Sequence, residues 1–388
     1  MKRLIFDEDH EMFRDSTRRF MQAEIEPHVE RWRQQGICDR EAFIKAGEQG
    51  LLGMWVPEEY GGMGIDDFRF EQVLIEETIR HGDISLFLTL HSRLVGPYIG
   101  RLGSKALKKR LLPGLVSGEV IFAIAMTEAG AGSDLAGIKS RATRDGDDWV
   151  LNGSKTYISN GINGGAFVVA ARTVPGKPHG IGLFVVEEGM EGFERGRNLA
   201  KMGLKAQDTA ELFFENVRVP AENVLGDPEH GFYDLMRHLP EERLISACQE
   251  IVHAQVAFDL TLDFILERKA FGKPIAAFQN TRFKMAEMRT LIDVTQAFVD
   301  QCVMLHVEGQ LSAELAAEAK LFSSETESKV MDECVQLHGG AGYMSEYRIS
   351  HMFVDARVSR IYAGSSEIMK EIIARGIGLD KRRLLGGN

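Results

Sequence analysis

The residues best placed to do chemistry lie in the stretch Ile124 to Asp134, IAMTEAGAGSD, where an apolar, strand-like run breaks into alternating small residues. Gly130 and Gly132 let the main chain approach a ligand with no Cβ in the way, and Thr127 and Ser133 set hydroxyls beside backbone N–H groups. A flat, anionic cofactor could lie against such a backbone. The spacing matches neither the G-x-G-x-x-G dinucleotide fingerprint nor the G-x-x-x-x-G-K-[ST] phosphate loop, and on local grounds an ordinary turn after a strand explains it as well. Further on, KTYISNG puts Tyr157 and Ser159 on one side of a short strand and turns the chain at Asn160-Gly161. A ring and a hydroxyl there suit stacking and edge contacts, and they equally suit a surface hairpin. In LPEERL, Glu241 and Glu242 follow a proline and precede Arg243. Acids in the first turn after a proline complement a helix dipole, so the spacing predicts a helix start with Glu241 solvated and Arg243 either orienting local carboxylates or backbone or held in an ordinary surface ion pair.

The elements that must hold these residues divide the chain in three. At 388 residues it exceeds one ordinary core. From Asp7 to about Ser117 apolar positions recur at helical spacing, as in Phe70, Val73, Leu74 and Thr78, broken by PEEYGGMG and by Gly96-Pro97. From Val120 to about Val219 the pattern changes to short runs, VIFAIAM, WVLNG, KTYIS, AFVVAAR, IGLFVV and AELFFENVRV, punctuated by Gly, Asn, Asp and Pro. That pattern predicts an antiparallel barrel or sandwich. Past Gly231, long helical segments at 242–268, 280–308 and 312–337 suffice for a bundle. The expected class is therefore α+β and multidomain: helical over 1–119, β over 120–228 and a helical bundle over 229–388.

Lys and Arg number 46 against 57 Asp and Glu, and the net charge of -11 disfavours general nucleic-acid binding while leaving room for a local basic pocket. The cysteines, Cys38, Cys248, Cys302 and Cys334, show no C-x-x-C spacing and no disulfide framework, which points to a reducing compartment. The first residues resemble neither a secretory signal nor a transit peptide, and no run approaches the roughly 20 apolar residues of a membrane span, so a cytoplasmic location is expected. His338 and His351 lack metal-ligand spacing and read as structural histidines; no metal is expected.

Five motifs, MTEAGAGSD, YIS, RKAFGKPI, QLHGGAGY and RIYAGSSEIM, stand in the order found in the acyl-CoA dehydrogenase family of flavoenzymes, and the chain resembles that family from FDEDHEMFRDSTRRF to IMKEIIARGIG. The resemblance implies an N-terminal α-domain, a central β-domain and a C-terminal four-helix domain. It also implies FAD-dependent α,β-dehydrogenation of an acyl-CoA thioester to the trans-2-enoyl-CoA. This reaction needs a base for the α-proton on one face of the acyl chain and, on the other, a flavin N5 to accept the β-hydride. Many members carry the base as the Glu of IYEGT, but here the text is Ile361-Tyr362-Ala363-Gly364-Ser365. LPEERL instead resembles the segment in long-chain and isovaleryl-CoA dehydrogenases whose catalytic Glu immediately precedes Arg, and that selects Glu242. The backbone N–H of Ala363 remains as a donor to the thioester oxygen.

By the same resemblance, Ile124, Met126, Thr127, Gly132, Ser133, Tyr157, Ile158 and Ser159 contact the FAD. Arg268, Phe271 and Gln279 reach the FAD of a neighbouring subunit, and Gln336, Gly339, Gly340, Ser365, Ser366 and Glu367 add further cofactor contacts. Ser133, Tyr233, Arg243, Ala363 and Gly364 lie near the substrate. A homotetramer built as a dimer of dimers and reoxidation by electron-transferring flavoprotein are implied. LPEERL, CVQLHGGAGYM and YAGSSEIMKEIIAR together look most like the long-chain type. An oxidase or monooxygenase on this scaffold, or a non-catalytic acyl-CoA-binding homologue that would explain Ala363, are the competing expectations.

Overall fold

The computed structural model describes residues 3–380 and 384. The N-terminal helices are α1 Glu8–Phe20, α2 Val29–Gln35, α3 Glu41–Glu48, α4 Phe68–His81, α5 Gly96–Leu102 and α6 Lys105–Ser117. Asp7 caps α1, its carboxylate accepting from the Asp9 and His10 N–H groups. Helix α4 is buried nearly all round. Its apolar residues Phe68, Val73, Leu74, Ile75 and Ile79 fill the core, and its buried Glu76 and Glu77 are matched by Arg14 at 2.5 Å and Arg18 at 3.1 Å. The expected break at Gly96-Pro97 is instead helical: a π-helical turn over Leu90–Val95 runs straight into α5, the proline lies within this continuous run, and the Ser92 carbonyl on the preceding turn accepts from Trp55 Nε1 at 2.9 Å.

The strands are β1 Phe122–Ala125, β2 Arg141–Asp145, β3 Asp148–Ser159, β4 Ala166–Arg172, β5 Ile181–Glu187, β6 Phe193–Asn198, β7 Thr209–Val219 and β8 Val224–Leu225. They form one sheet ordered β6-β7-β3-β2-β4-β5-β8, with β1 beside β4. The path does not close on itself among the described residues, so the barrel alternative falls and the sandwich stands. The pairing is not wholly antiparallel, because β1 and β2 both run parallel to β4. Strand β4 shows why both faces are buried: Ala166, Val168 and Ala170 pack toward α5 and α6, whereas Phe167, Val169 and Ala171 pack toward β3 and β7.

The C-terminal region holds α7 Gly231–Glu267, a short hairpin of β9 Lys269–Ala270 and β10 Lys273–Pro274, then α8 Gln279–Val307, α9 Ala313–His338, α10 Arg348–Ala356 and α11 Ser366–Gly376. Helix α7 starts eleven residues before the expected 242. Pro240 lies inside it, where it removes one backbone hydrogen bond. Burial of Leu235 and His238 on the preceding turns shows that the segment was already packed as helix before the proline is reached. Side-chain pairs Glu250–Ser323, His253–Glu327 and Phe264–His338 show that α7 and α9 run parallel and face one another. No described helix is long and apolar enough to cross a membrane.

Candidate active site

The glycine-containing loop after β1 is pinned from below by a buried ion pair that the sequence reading did not single out. Lys155, 1 % exposed, donates from Nζ to the Met126 carbonyl at 2.9 Å and to Glu128 Oε1 at 2.8 Å. Glu128 in turn accepts from the Lys139 and Ser140 N–H groups, and its backbone closes a tight bridge with Ala131. The tip carrying Gly130, Gly132 and Ser133 is thereby left exposed, with nothing within 4 Å of a Cβ built on either glycine. The Thr156 N–H donates to the Thr127 carbonyl at 3.0 Å, so β3 delivers Tyr157 and Ser159 beside this loop, as the two motifs together suggested. Asn160 and Gly161 do turn the chain, but the strand after the turn does not pair with β3, so this is no hairpin. Tyr157 sits at a bulge with φ 59°, its ring 69 % exposed, while Ile158 is committed to the β-core and offers a ligand only its backbone.

Glu241 and Glu242 occupy the third turn of α7, not its first, and neither is solvated. Glu241 is 7 % exposed and meets Arg93, which the π-helical turn presents, Arg101 at 3.4 Å and His306 at 3.7 Å. Burial raises its pKa, but His306, Arg93 and Arg101 overcome that and hold the carboxyl at about 2. The expectation of a solvated Glu241 is thus corrected: its partners lie on elements 148 and 65 positions away in sequence. Glu242 points elsewhere. It is 5 % exposed, and Tyr98 Oη on α5 donates to its Oε1 at 3.0 Å. Burial pushes its carboxyl up to about 7, despite the Tyr98 hydrogen bond and the neighbouring Arg243 guanidinium, which favour the ionised form. Two adjacent carboxyls are split apart by their surroundings, one held ionised and one poised to exchange a proton near neutrality. Arg243 is buried as well, and its Nε finds no hydrogen-bond partner among the described residues, so of its two expected roles the surface ion pair falls, while its charge acts on the neighbouring Glu242.

The segment Ile361 to Ser365 leads into α11. Ala363 and Gly364 take successive left-handed conformations, φ 50° and 93°, and among the described residues no acceptor takes the Ala363 N–H. Ser365 caps α11, its Oγ accepting from the Ile368 N–H at 3.4 Å, and Ser366 is buried against Glu325 at 3.1 Å; Glu367 is exposed. Tyr233 is half-exposed in the first turn of α7, against His179 and Phe232.

Arg268, Phe271, Gln279, Gln336, Gly339 and Gly340 belong to a different place. Phe264 at the end of α7 stacks on His338 at the end of α9, centroids 4.3 Å apart, which gathers the β9-β10 hairpin and the QLHGG loop at one end of the bundle. His338 itself is structural, with Nδ1 2.8 Å from the Cys334 carbonyl. All six of these residues are exposed, and Phe271 is 95 % exposed at φ 50°. At roughly 1.5 Å rise per residue, the helix separates Glu242 from Arg268 by about 39 Å. Within one chain the two groups cannot surround one isoalloxazine ring. Six non-glycine residues have left-handed φ among those described, and Tyr157, Phe271 and Ala363 are three of them. Such conformations cost about 1–2 kcal/mol each and concentrate where a ligand exploits them.

Comparison with known proteins finds three family models along the chain: acyl-CoA dehydrogenase N-terminal domain over residues 7–119, middle domain over 123–217 and C-terminal domain over 229–378. The mitochondrial long-chain specific acyl-CoA dehydrogenase of Sus scrofa is 48% identical over 382 residues, 98% of this chain and 89% of that protein. A crystal structure of an acyl-CoA dehydrogenase from Geobacillus kaustophilus superimposes with a TM-score of 0.95 at 46% identity, covering 96% of this chain and 99% of that one. A glutaryl-CoA dehydrogenase from Mycobacterium smegmatis, solved in complex with FADH2, superimposes with a TM-score of 0.90 at 28% identity, covering 97% and 96%.

Proposed function

The chain belongs to the acyl-CoA dehydrogenase family, and on that premise we propose that it oxidises a long-chain acyl-CoA thioester between Cα and Cβ, with Glu242 as the base. The observation that carries this reading is the contrast between neighbours: Glu241 is locked in ion pairs at about 2, and Glu242 is desolvated, held by one tyrosine, at about 7. A buried carboxylate of that basicity suits removal of an α-proton near neutral pH. The α-proton goes to Glu242, and the β-hydrogen leaves with its electron pair. The non-catalytic alternative required Glu242 to be mere surface charge, and its burial speaks against that.

The residues present fit FAD. The loop tip has free space over Gly130 and Gly132 for a backbone-hugging ligand, and Tyr157 offers an exposed ring on a strained backbone beside it. FAD, when bound, supplies the two-electron oxidant for the β-hydrogen. On this side Thr127, Ser133, Tyr157 and Ser159 would hold it, with Ile124, Met126, Gly132 and the Ile158 backbone lining it. Arg268, Phe271, Gln279, Gln336, Gly339 and Gly340, about 39 Å along α7, would serve the cofactor of a neighbouring copy in a dimer of dimers. Ala363 would donate its N–H to the thioester oxygen, with Gly364, Arg243 and Tyr233 along the substrate. Reoxidation by electron-transferring flavoprotein completes the cycle. A reducing compartment such as the cytoplasm fits four cysteines that are all free and buried.

The test is Glu242→Gln. The variant keeps its bound yellow flavin but loses anaerobic bleaching by C12 to C16 acyl-CoA, which bleaches the wild type faster than isovaleryl-CoA does. Bleaching of the variant at the wild-type rate overturns the assignment of the base.

A further inference from the structure

Helix α9 carries a lysine that the reaction above leaves unused. Lys320 has no exposed surface, and its Nζ donates to the Ser359 carbonyl at 2.5 Å and to the Gly364 carbonyl at 2.8 Å. Burying an ammonium group is costly unless something specific requires it. Among the described residues no carboxylate forms a direct ion pair with Lys320; burial lowers its pKa, and the attraction of Glu250 on α7 and Glu327 on α9, whose own carboxyls burial pushes toward the neutral form, opposes that only in part. What the ammonium touches is the two ends of one short stretch, from the last turn before Ile361 to the residue just after Ala363.

That stretch needs holding. Ala363 at φ 50° is a left-handed alanine, a conformation that costs about 1–2 kcal/mol and is followed at once by Gly364 at φ 93°. Relaxation of Ala363 to an ordinary φ would re-aim its N–H, which has no acceptor among the described residues. The same turn is fixed downstream by the Ser365 cap of α11, so the lysine supplies the upstream restraint. A merely space-filling role at this position would be met by an apolar side chain at lower desolvation cost.

We propose that Lys320 is a positioning residue: by clamping the Ser359 and Gly364 carbonyls, it aims the Ala363 N–H at the thioester oxygen of the bound substrate. The inference rests on the reading that this amide binds that oxygen. A chromophoric thioester, 4-dimethylaminocinnamoyl-CoA, tests both, because its visible band moves to the red when its carbonyl accepts hydrogen bonds. With the flavin-loaded protein, the wild type shows the red shift. Lys320→Met binds flavin and probe stoichiometrically, shows less than half that shift, and loses kcat at least tenfold while KM changes less than threefold. A variant with the wild-type shift and kcat overturns the role of Lys320 alone. A wild type that binds the probe with no shift overturns the reading of the Ala363 amide, and the lysine's role with it. Should Lys320→Met fail to fold, Lys320→Gln, which has a single amide for two carbonyls, is measured against the same outcomes.

Discussion

Removing the Tyr98 hydroxyl probes Glu242 without altering the base itself. Tyr98 is fully buried, its ring 4.2 Å from that of His238, and phenylalanine fills the same space, so Tyr98→Phe deletes little beyond the 3.0 Å hydrogen bond to Oε1. A hydrogen bond to a charged group contributes about 1.5–3 kcal/mol, and about 1.4 kcal/mol corresponds to one pH unit. The bond favours the carboxylate, so its loss raises the Glu242 midpoint by about one to two pH units from its position near 7. The other groups that act on Glu242 remain in place: Arg243 still favours ionisation, and Glu241 still opposes it. The base works only when ionised, so kcat/KM rises with pH and levels off above its midpoint. In the variant that rising limb moves to higher pH. Near pH 6 the variant is roughly 10–100-fold slower, and by about pH 10 the two profiles converge. The measurement is kcat/KM with a dye acceptor across this range on flavin-loaded protein. An acid limb at the same pH in both proteins, or a loss that is uniform at every pH, refutes the reasoning.

Two further outcomes are expected. Glu71 is buried with one oxygen unpartnered, and burial raises its carboxyl from 4.5 to about 7. A folded-state pKa above the unfolded value gives stability that is present below about 4.5 and lost as pH rises through 7, so Glu71→Gln gains up to about 3 kcal/mol on the wild type between pH 4.5 and 8. Urea midpoints at the two pH values check this, and an equal difference at both would speak against it. Lys155→Met leaves Glu128 without its cation and the Met126 carbonyl without its donor. Breaking a buried pair costs about 3–5 kcal/mol, felt mostly in the loop, so flavin affinity drops at least tenfold while far-UV circular dichroism is unchanged; wild-type flavin retention after dialysis would exclude that role for the lysine.

The β-region was legible because its strands are short, apolar and punctuated, and α8 and α9 fall within a residue or so of the expected segments because their apolar periodicity is uninterrupted. The start of α7 was not legible. A proline dominates any local reading of LPEERL, and only the burial of Leu235 and His238 shows that the helix has already begun. Nor could sequence say that Glu241 is sequestered, since Arg93 and His306 reach it from distant elements. Lys320 did leave a trace: with Ala316, Ser323, Ser324 and Glu327 it falls on one helical stripe at steps of three and four, and all of them are buried. Two opposite charges, Lys320 and Glu327, on a stripe otherwise made of small residues are the signal by which it could have been found. Lys155 left none, because the bulge at Tyr157 upsets the alternation that would show which way it points.

Helix α7 runs without interruption from Gly231 to Glu267, through the proline and past both carboxylates. It therefore acts as a ruler and as a phase key. Deleting or inserting one residue between Glu242 and Arg268 would change their spacing by about 1.5 Å and turn one relative to the other by about 100°. It would also twist Glu250 or His253 away from their partners on α9. No loop is available in that stretch to absorb the difference. Change along α7 is thus confined to substitution, and its length is as much a part of the active arrangement as any side chain it carries.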